Sequence, residues 1–362
     1  MEVTPTTLMA TRGLDAATQL KLTAHLSNSK DVDVTSNGAW ESSAPTVVAI
    51  SPEGLATPLA AGSSTITGSY EGKSGSMTVT VRSPQMFVVE EGSTNLGVLV
   101  FDPAQSGNSP PMRQIKGPTA AFSFPWSVEV VQDEIYVSNV SSNSIAVYPV
   151  TASGDVAATR RIVGGTTGLV SPYGMTIHGD EIIAGSTGKV LVFPRTATGD
   201  TAPTRTITGP TTMLTGIVTG VEVYNNEIYV VSNTSSILVF PLMANGDVAP
   251  TRVISGPHTL MGTIYSARVI NGEIYATGSG IKVFPLDANG DVAPIRYLRG
   301  ADTQAPNVID AHRLGQELYF INDNATSLLQ VTPLTATEDQ VPLRGLTGAM
   351  TLMQSPRAMT FY

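Results

Sequence analysis

The stretch Val239-Phe240-Pro241-Leu242-Met243-Ala244-Asn245-Gly246-Asp247-Val248-Ala249-Pro250-Thr251-Arg252 decides the fold, because the chain writes it more than once. Val192-Phe193-Pro194 leads through Gly199-Asp200 to Ala202-Pro203-Thr204-Arg205. Val283-Phe284-Pro285 leads through Gly290-Asp291 to Ala293-Pro294-Ile295-Arg296. Weaker copies begin at Val100, Val147 and Val331. The closing arginine falls at Arg113, Arg160, Arg205, Arg252, Arg296 and Arg344, at intervals of 47, 45, 47, 44 and 48 residues. A fixed period of this size is the mark of a repeat architecture in which each copy is one supersecondary unit.

Working outward, Val221-Glu222-Val223-Tyr224-Asn225-Asn226-Glu227-Ile228-Tyr229-Val230 reads as two strands joined by a tight Asn-Asn turn. It recurs around Glu134-Ile135-Tyr136, Glu181-Ile182-Ile183, Glu273-Ile274-Tyr275 and Glu317-Leu318-Tyr319. The sixth copy is split. Ser355-Pro356-Arg357-Ala358-Met359-Thr360-Phe361-Tyr362 matches Ser171-Pro172-Tyr173-Gly174-Met175-Thr176-Ile177-His178 as a first strand, and its second strand is Met86-Phe87-Val88-Val89, ahead of the first Val-Phe copy. Residues 83–362 therefore read as a six-bladed β-propeller of four-stranded blades, closed by pairing Met86–Val89 with Met359–Tyr362 so that no inner edge is left unpaired. A first strand followed by Ile-Tyr-Val and then by Ile-x-Val-Phe resembles the NHL-repeat class of propellers.

Residues 1–82 have a different texture. Gln19-Leu20-Lys21-Leu22-Thr23-Ala24 alternates apolar and polar residues with period two, and Val47-Val48-Ala49-Ile50, Ser64-Thr65-Ile66-Thr67 and Met77-Thr78-Val79-Thr80-Val81 follow between Gly, Ser, Pro and Asn clusters. That predicts a small all-β sandwich. The order Trp40-Glu41-Ser42-Ser43, Gly54-Leu55-Ala56-Thr57, Ala61-Gly62-Ser63-Ser64-Thr65-Ile66 and Val79-Thr80-Val81 resembles the bacterial immunoglobulin-like group 2 domain. The resemblance implies a sandwich packed around Trp40 that serves as a spacer or adhesive module on exported proteins.

Composition narrows the function. Charged residues are 14% of the 362, the formal charge is −9, and six lysines make no basic stripe, so a nucleic-acid role lacks its electrostatic footing. Cysteine is absent, which removes disulfides, thiolate metal sites and a cysteine nucleophile. No apolar run is long enough to span a bilayer. Export would require a signal segment, and Met1-Glu2-Val3 opens directly on strand-like sequence.

Three rows of residues recur with the repeat. The acidic row Asp155, Asp200, Asp247, Asp291 and Asp339, with Asn108 in the first copy, offers one carboxylate per turn; calcium is the cation such oxygen ligands suit, but turn chemistry accounts for Asn-Gly-Asp without a metal. The arginine row is expected on outer strands, paired with nearby acids. The third row aligns the first strands of the blades, where Glu129, Thr176, Glu222, Arg268, His312 and Thr360 share one register amid apolar neighbours. Buried ionisable groups need partners. These six predict either a charge-compensated network at the axis or the lining of a ligand-binding mouth, with Asp310 and Arg313 beside His312.

Enzyme signatures are weak. His25, His178, His258 and His312 stand in separate segments, without the close spacings of a zinc site, and no Gly-x-Ser-x-Gly elbow occurs. The reading is a non-enzymatic exported or cell-surface binding protein without a cofactor, its propeller face taking a glycan or a surface protein. One alternative is a calcium-dependent lactonase or hydrolase, in the manner of the six-bladed lactonases this architecture is similar to, with Glu129, Glu222 and Asp310 at the axial mouth. Another is a structural subunit of a surface layer or filament.

Overall fold

In the computed structural model, residues 1–232, 235–323 and 329–362 are described. The chain divides into two compact units, Met1–Gln85 with Tyr362 and Met86–Phe361.

The first unit is built from three small sheets. Thr7–Thr11 runs parallel to Lys73–Arg82, which pairs antiparallel with Gly62–Tyr70, and that strand pairs with Ala39–Ser42. Period-two alternation puts Leu20, Leu22, Ile66, Met77, Val79 and Val81 inside, with Trp40 half-buried against them. Trp40 Nε1 donates to the Thr35 carbonyl at 3.1 Å, which satisfies the one polar atom of the ring. A Cβ at Gly54 would stand 2.9 Å from the indole, so the Gly-Leu turn needs its glycine to let the ring in.

The second unit contains six four-stranded antiparallel sheets among the described residues, each with its strands in chain order apart from the one that joins the two ends of the unit. Their first strands are Pro125–Val131, Met175–His178, Val218–Tyr224, Ile264–Ile270, Val308–Leu314 and Pro356–Phe361, and each contacts the next, the last returning to the first. This cyclic stacking of sheets is a β-propeller. The closing pairing is antiparallel, with Met86 opposite Phe361, Phe87 opposite Thr360, Val88 opposite Met359 and Val89 opposite Ala358. Second and third strands are continuous apolar runs because both their faces are covered by neighbouring sheets.

The acidic row lies between sheets. In the Gly-Asp turns, Gly154, Gly199, Gly246 and Gly290 each form a parallel bridge to the outer strand of the preceding sheet, at Ile115, Ile162, Ile207 and Ile254. Glu338 meets Leu298 in the same way, and Gly107 completes the cycle on Leu346. The side chain that follows caps the segment entering the next first strand. Asp247 accepts from Thr211 N at 2.8 Å, Asp155 from Thr119 N at 2.8 Å and Asn108 from Met350 N at 2.7 Å. Turn chemistry thus extends one step further than expected: each acid fastens its own sheet to the one before it.

The arginine row pairs with acids as expected, and does more. Arg160, Arg205, Arg252, Arg296 and Arg344 reach Glu134, Glu181, Glu227, Glu273 and Glu317 on the second strands of their own sheets. Arg205 and Arg252 also donate to the Leu242 and Leu286 carbonyls of the following sheet, both at 2.7 Å. Arg113 donates to the Val150 carbonyl and lies over the Phe87 ring.

Candidate functional site

The first strands deliver their polar residues to one level. Glu129, Thr176, Glu222, Arg268, His312 and Thr360 stand opposite Tyr136, Ile183, Tyr229, Tyr275, Tyr319 and Phe87, the same position of each second strand. Each of these strands except Met175–His178 carries a register shift near its start, and beyond it Asp310 and His312 alternate onto the same face of Val308–Leu314.

Arg268 is the centre of the cluster. Its Nη1 donates to Glu129 Oε1 at 3.2 Å and to Glu222 Oε2 at 3.0 Å, while Nε and Nη2 grip the two oxygens of Asp310 at 3.2 and 3.3 Å. The planar fork of guanidinium suits this double engagement. Asp310, 2% exposed, also accepts from Ser266 Oγ at 2.9 Å and from Met359 N on the closing strand at 3.3 Å. His312 Nε2 lies 3.3 Å from Asp310 Oδ2, near enough for an ion pair but off the hydrogen-bonding direction, so that nitrogen is buried without a hydrogen-bond partner. Thr176 and Thr360 are buried in the same register and take no part in the ionic network.

The charges are unequal, three carboxylates facing one guanidinium and one imidazole. Burial by itself would lower Arg268, but Asp310, Glu129 and Glu222 outweigh it and hold the guanidinium firmly charged. Burial would raise Asp310, yet Arg268 and His312 outweigh it and keep its carboxyl well below the usual carboxylate range. At Glu129 the balance falls the other way: burial, helped by the neighbouring Glu222 and Asp310, raises it against the pull of Arg268 and His312. Glu129 therefore takes up a proton far more readily than Asp310.

Arg268 separates two spaces. On one side is a narrow hole of ≈ 20 Å³, room for about one water, flanked by Trp126, Thr219, Tyr265 and Arg357. Arg357, on the closing strand, lies 5.1 Å over the Trp126 ring and pairs with Glu91 and with Asp323, the latter at 2.7 Å, so it ties three sheets together at the seam. On the other side is an open cleft of ≈ 390 Å³ lined by Glu222, Tyr224, Arg268, Asn271, His312 and Arg313. Arg313 Nη1 donates to Asn271 Oδ1 at 2.7 Å. The cleft presents carboxylate and amide acceptors beside guanidinium, imidazole and amide donors within one small volume. Among the described residues no group of three or more His, Asp or Glu side chains is placed to hold a metal ion.

Asp310, opposite Ile321, holds the register that Gly220 holds opposite Val231 and Ala358 holds opposite Val89, a position where those two strands carry small uncharged residues; its place two residues before His312, on the same face, was the available signal. Tyr224 and Asn271, at the tight turns after their first strands, carried no signal beyond turn chemistry.

No protein family and no curated protein matches this chain. Among solved structures it is similar to the WD40 β-propeller domain of Doa1, at 12% identity over 64% of this chain and 70% of that one, with a TM-score of 0.46. It is also similar to the computationally designed Ika8 protein, at 12% identity over 85% and 87% of the two chains, with a TM-score of 0.44. No helix among the described residues is long and apolar enough to cross a membrane.

Proposed function

We propose that this chain is a non-enzymatic binding protein of the bacterial surface or exterior, and that the axial cleft of a closed six-bladed propeller takes a neutral glycan. Residues 1–82 serve in this reading as an immunoglobulin-like group 2 spacer, supported by the Trp40-centred core and by the glycine that admits the ring. The six-blade count is supported by the six sheets whose first strands touch in a cycle.

The observation that carries the ligand class is the lining of the cleft. Glu222 spends one carboxylate oxygen on Arg268, and the side chains around it alternate in sign: Arg313, Asn271 and His312 stand beside Glu222, with Tyr224 as a ring platform. An anionic ligand meets Glu222, with Glu129 and Asp310 already engaging the same guanidinium behind it, and a cationic one meets Arg268 and Arg313. A molecule with many hydroxyls gives donors to Glu222 and acceptors to Arg313 and His312 without importing charge. The calcium-dependent hydrolase reading is weaker, since Arg268 lies among the three carboxylates a divalent cation would use.

A neutral glycan array followed by calorimetry tests the reading. Glu222→Ala and Arg313→Ala, both at the rim, are expected to weaken binding about tenfold or more each, the loss of one or two hydrogen bonds to charged groups. Unchanged affinity in both variants, or turnover of a lactone or ester panel that disappears with Glu222→Ala, overturns it.

A further inference from the structure

Lys282 breaks the repeat. At its place in the third strand the other sheets carry Leu99, Ala146, Leu191, Leu238 and Gln330, each opposite the residue that follows the arginine of the outer strand. Four of those five are apolar, as a strand covered on both faces requires. Lys282 is 0% exposed, and burying an ammonium is costly unless it is paired or hydrogen-bonded.

What surrounds it is a serine and a tyrosine. Lys282 Nζ donates to the Ser279 carbonyl at 2.7 Å and lies 3.1 Å from Ser279 Oγ. It also lies 4.9 Å from the centre of the Tyr297 ring, whose hydroxyl donates to the same Ser279 carbonyl at 2.7 Å. Arg299 lies 4.6 Å from that ring. Ser279 itself is exposed, at the turn between second and third strands. Burial pulls Lys282 below its ordinary range; Tyr297 opposes this and Arg299 adds to it. Tyr297 is lowered as well, its burial outweighed by Ser279, Lys282 and Arg299.

An exposed hydroxyl within hydrogen-bond reach of a buried, hard-to-protonate amine is the arrangement that makes serine a nucleophile. We propose that Ser279 is a reactive serine with Lys282 as its general base, and that it accepts the acyl group of activated carboxylic esters. Ser279 Oγ bonds to the ester carbonyl carbon as its proton passes to neutral Lys282 Nζ. The bond from that carbon to the leaving oxygen then breaks, and the leaving alkoxide or phenoxide takes the proton back. The product is a serine ester and a free alcohol or phenol, with no oxidant, reductant or metal consumed. The outcome is covalent capture, which suits a binding protein and does not depend on the axial cleft.

The full chain treated with p-nitrophenyl acetate, then mapped by peptide mass spectrometry, tests this. One acetyl group is expected on Ser279, released p-nitrophenol matching it one to one, and Ser279→Ala is expected to lose that adduct. Lys282→Leu restores the residue that three other sheets carry, so it keeps the fold and its melting midpoint while acylation slows about 10²–10⁴-fold, the usual worth of a general base. Lys282→Gln, matching Gln330, is the second variant. The rate of the unaltered protein is expected to rise with pH and level off below the ordinary lysine value of 10.5. Acetyl groups spread over other residues at equal rates, Lys282 variants that stay folded and react as fast as the parent, or a rate still rising past that value, overturn the proposal.

Discussion

Arg268 is the residue on which the axis depends. Removing it leaves Glu129, Glu222 and Asp310 facing one another with only the His312 imidazole beside them, and breaking a buried ion pair from one side costs about 3–5 kcal/mol. Arg268→Met is therefore expected to lower stability by about that much at pH 7, read from urea denaturation, and by less at pH 4, where protonation relieves the repulsion. Glu129 behaves in the opposite sense. Its folded value is raised above the ordinary 4.5, so its contribution to stability is complete below pH 4.5 and is lost as pH climbs through the raised value. Glu129→Gln should flatten that decline: its denaturation midpoint is expected to change less between pH 5 and pH 8 than the parent's. At the periphery the sign reverses. Arg160 holds Glu134 down at about 2, so the stability Glu134 contributes is complete above 4.5 and vanishes as pH falls toward 2. Acid unfolding of Glu134→Gln is expected to be shallower over that window, with little change at pH 7 beyond the lost pair.

At the scale of the element, the Gly-Asp turn and the short segment it caps form one joint between sheets. Gly209 shows why its glycine is required: φ is +133° and a Cβ there would stand 2.4 Å from Asp247 Cγ. Gly209→Ala thus meets backbone strain and a collision with the capping acid together, and is expected to cost more than about 1 kcal/mol by thermal denaturation. The double variant with Asp247→Ala tests the coupling, since it removes the collision but not the strain and should recover only part of the loss. The closing strand is a second joint. Ala358, Met359 and Phe361 are all buried there, and removing Arg357–Tyr362 exposes their partners Met86–Val89 as an open edge. The loss is expected to exceed about 5 kcal/mol, taking roughly 1.5–3 kcal/mol for each larger buried side chain. Hydrogen exchange should show protection falling first in Met86–Glu90; protection there equal to that of the full chain would refute closure by this strand.

For the molecule as a whole, the ring was legible because repetition overdetermines it. Six arginines at nearly constant intervals and a Glu-Ile-Tyr motif between them fix one sheet per copy, and the split sixth copy specifies which two strands close it, although Met86–Val89 faces Ala358–Phe361, one residue earlier than the expected Met359–Tyr362. The shared level of Glu129, Glu222, Arg268 and His312 was legible for the same reason, since equivalent positions of equivalent strands must face one axis. Other features were not. Asp310 becomes the hub only because Ser266 and Arg268 of the neighbouring first strand reach it, and alternation within one strand does not name its partners on the next. The acidic row reads as turn chemistry until the neighbouring sheet is in place, because its hydrogen-bond partners lie some 35 residues away in the chain, as from Asp155 to Thr119. Lys282 looks like one more strand residue until burial and the 3.1 Å approach to Ser279 Oγ give it a partner. The sequence by itself determined the repeat, the shared level of the first-strand polar row and the pair of strands that closes the sheets, because period and alternation are properties of the chain taken in order. Tertiary structure alone decided which charges meet and which proton is held, because those depend on distances of about 3 Å between residues far apart in sequence, and it decided that Lys282 is buried beside Ser279, because neighbouring sheets cover that strand.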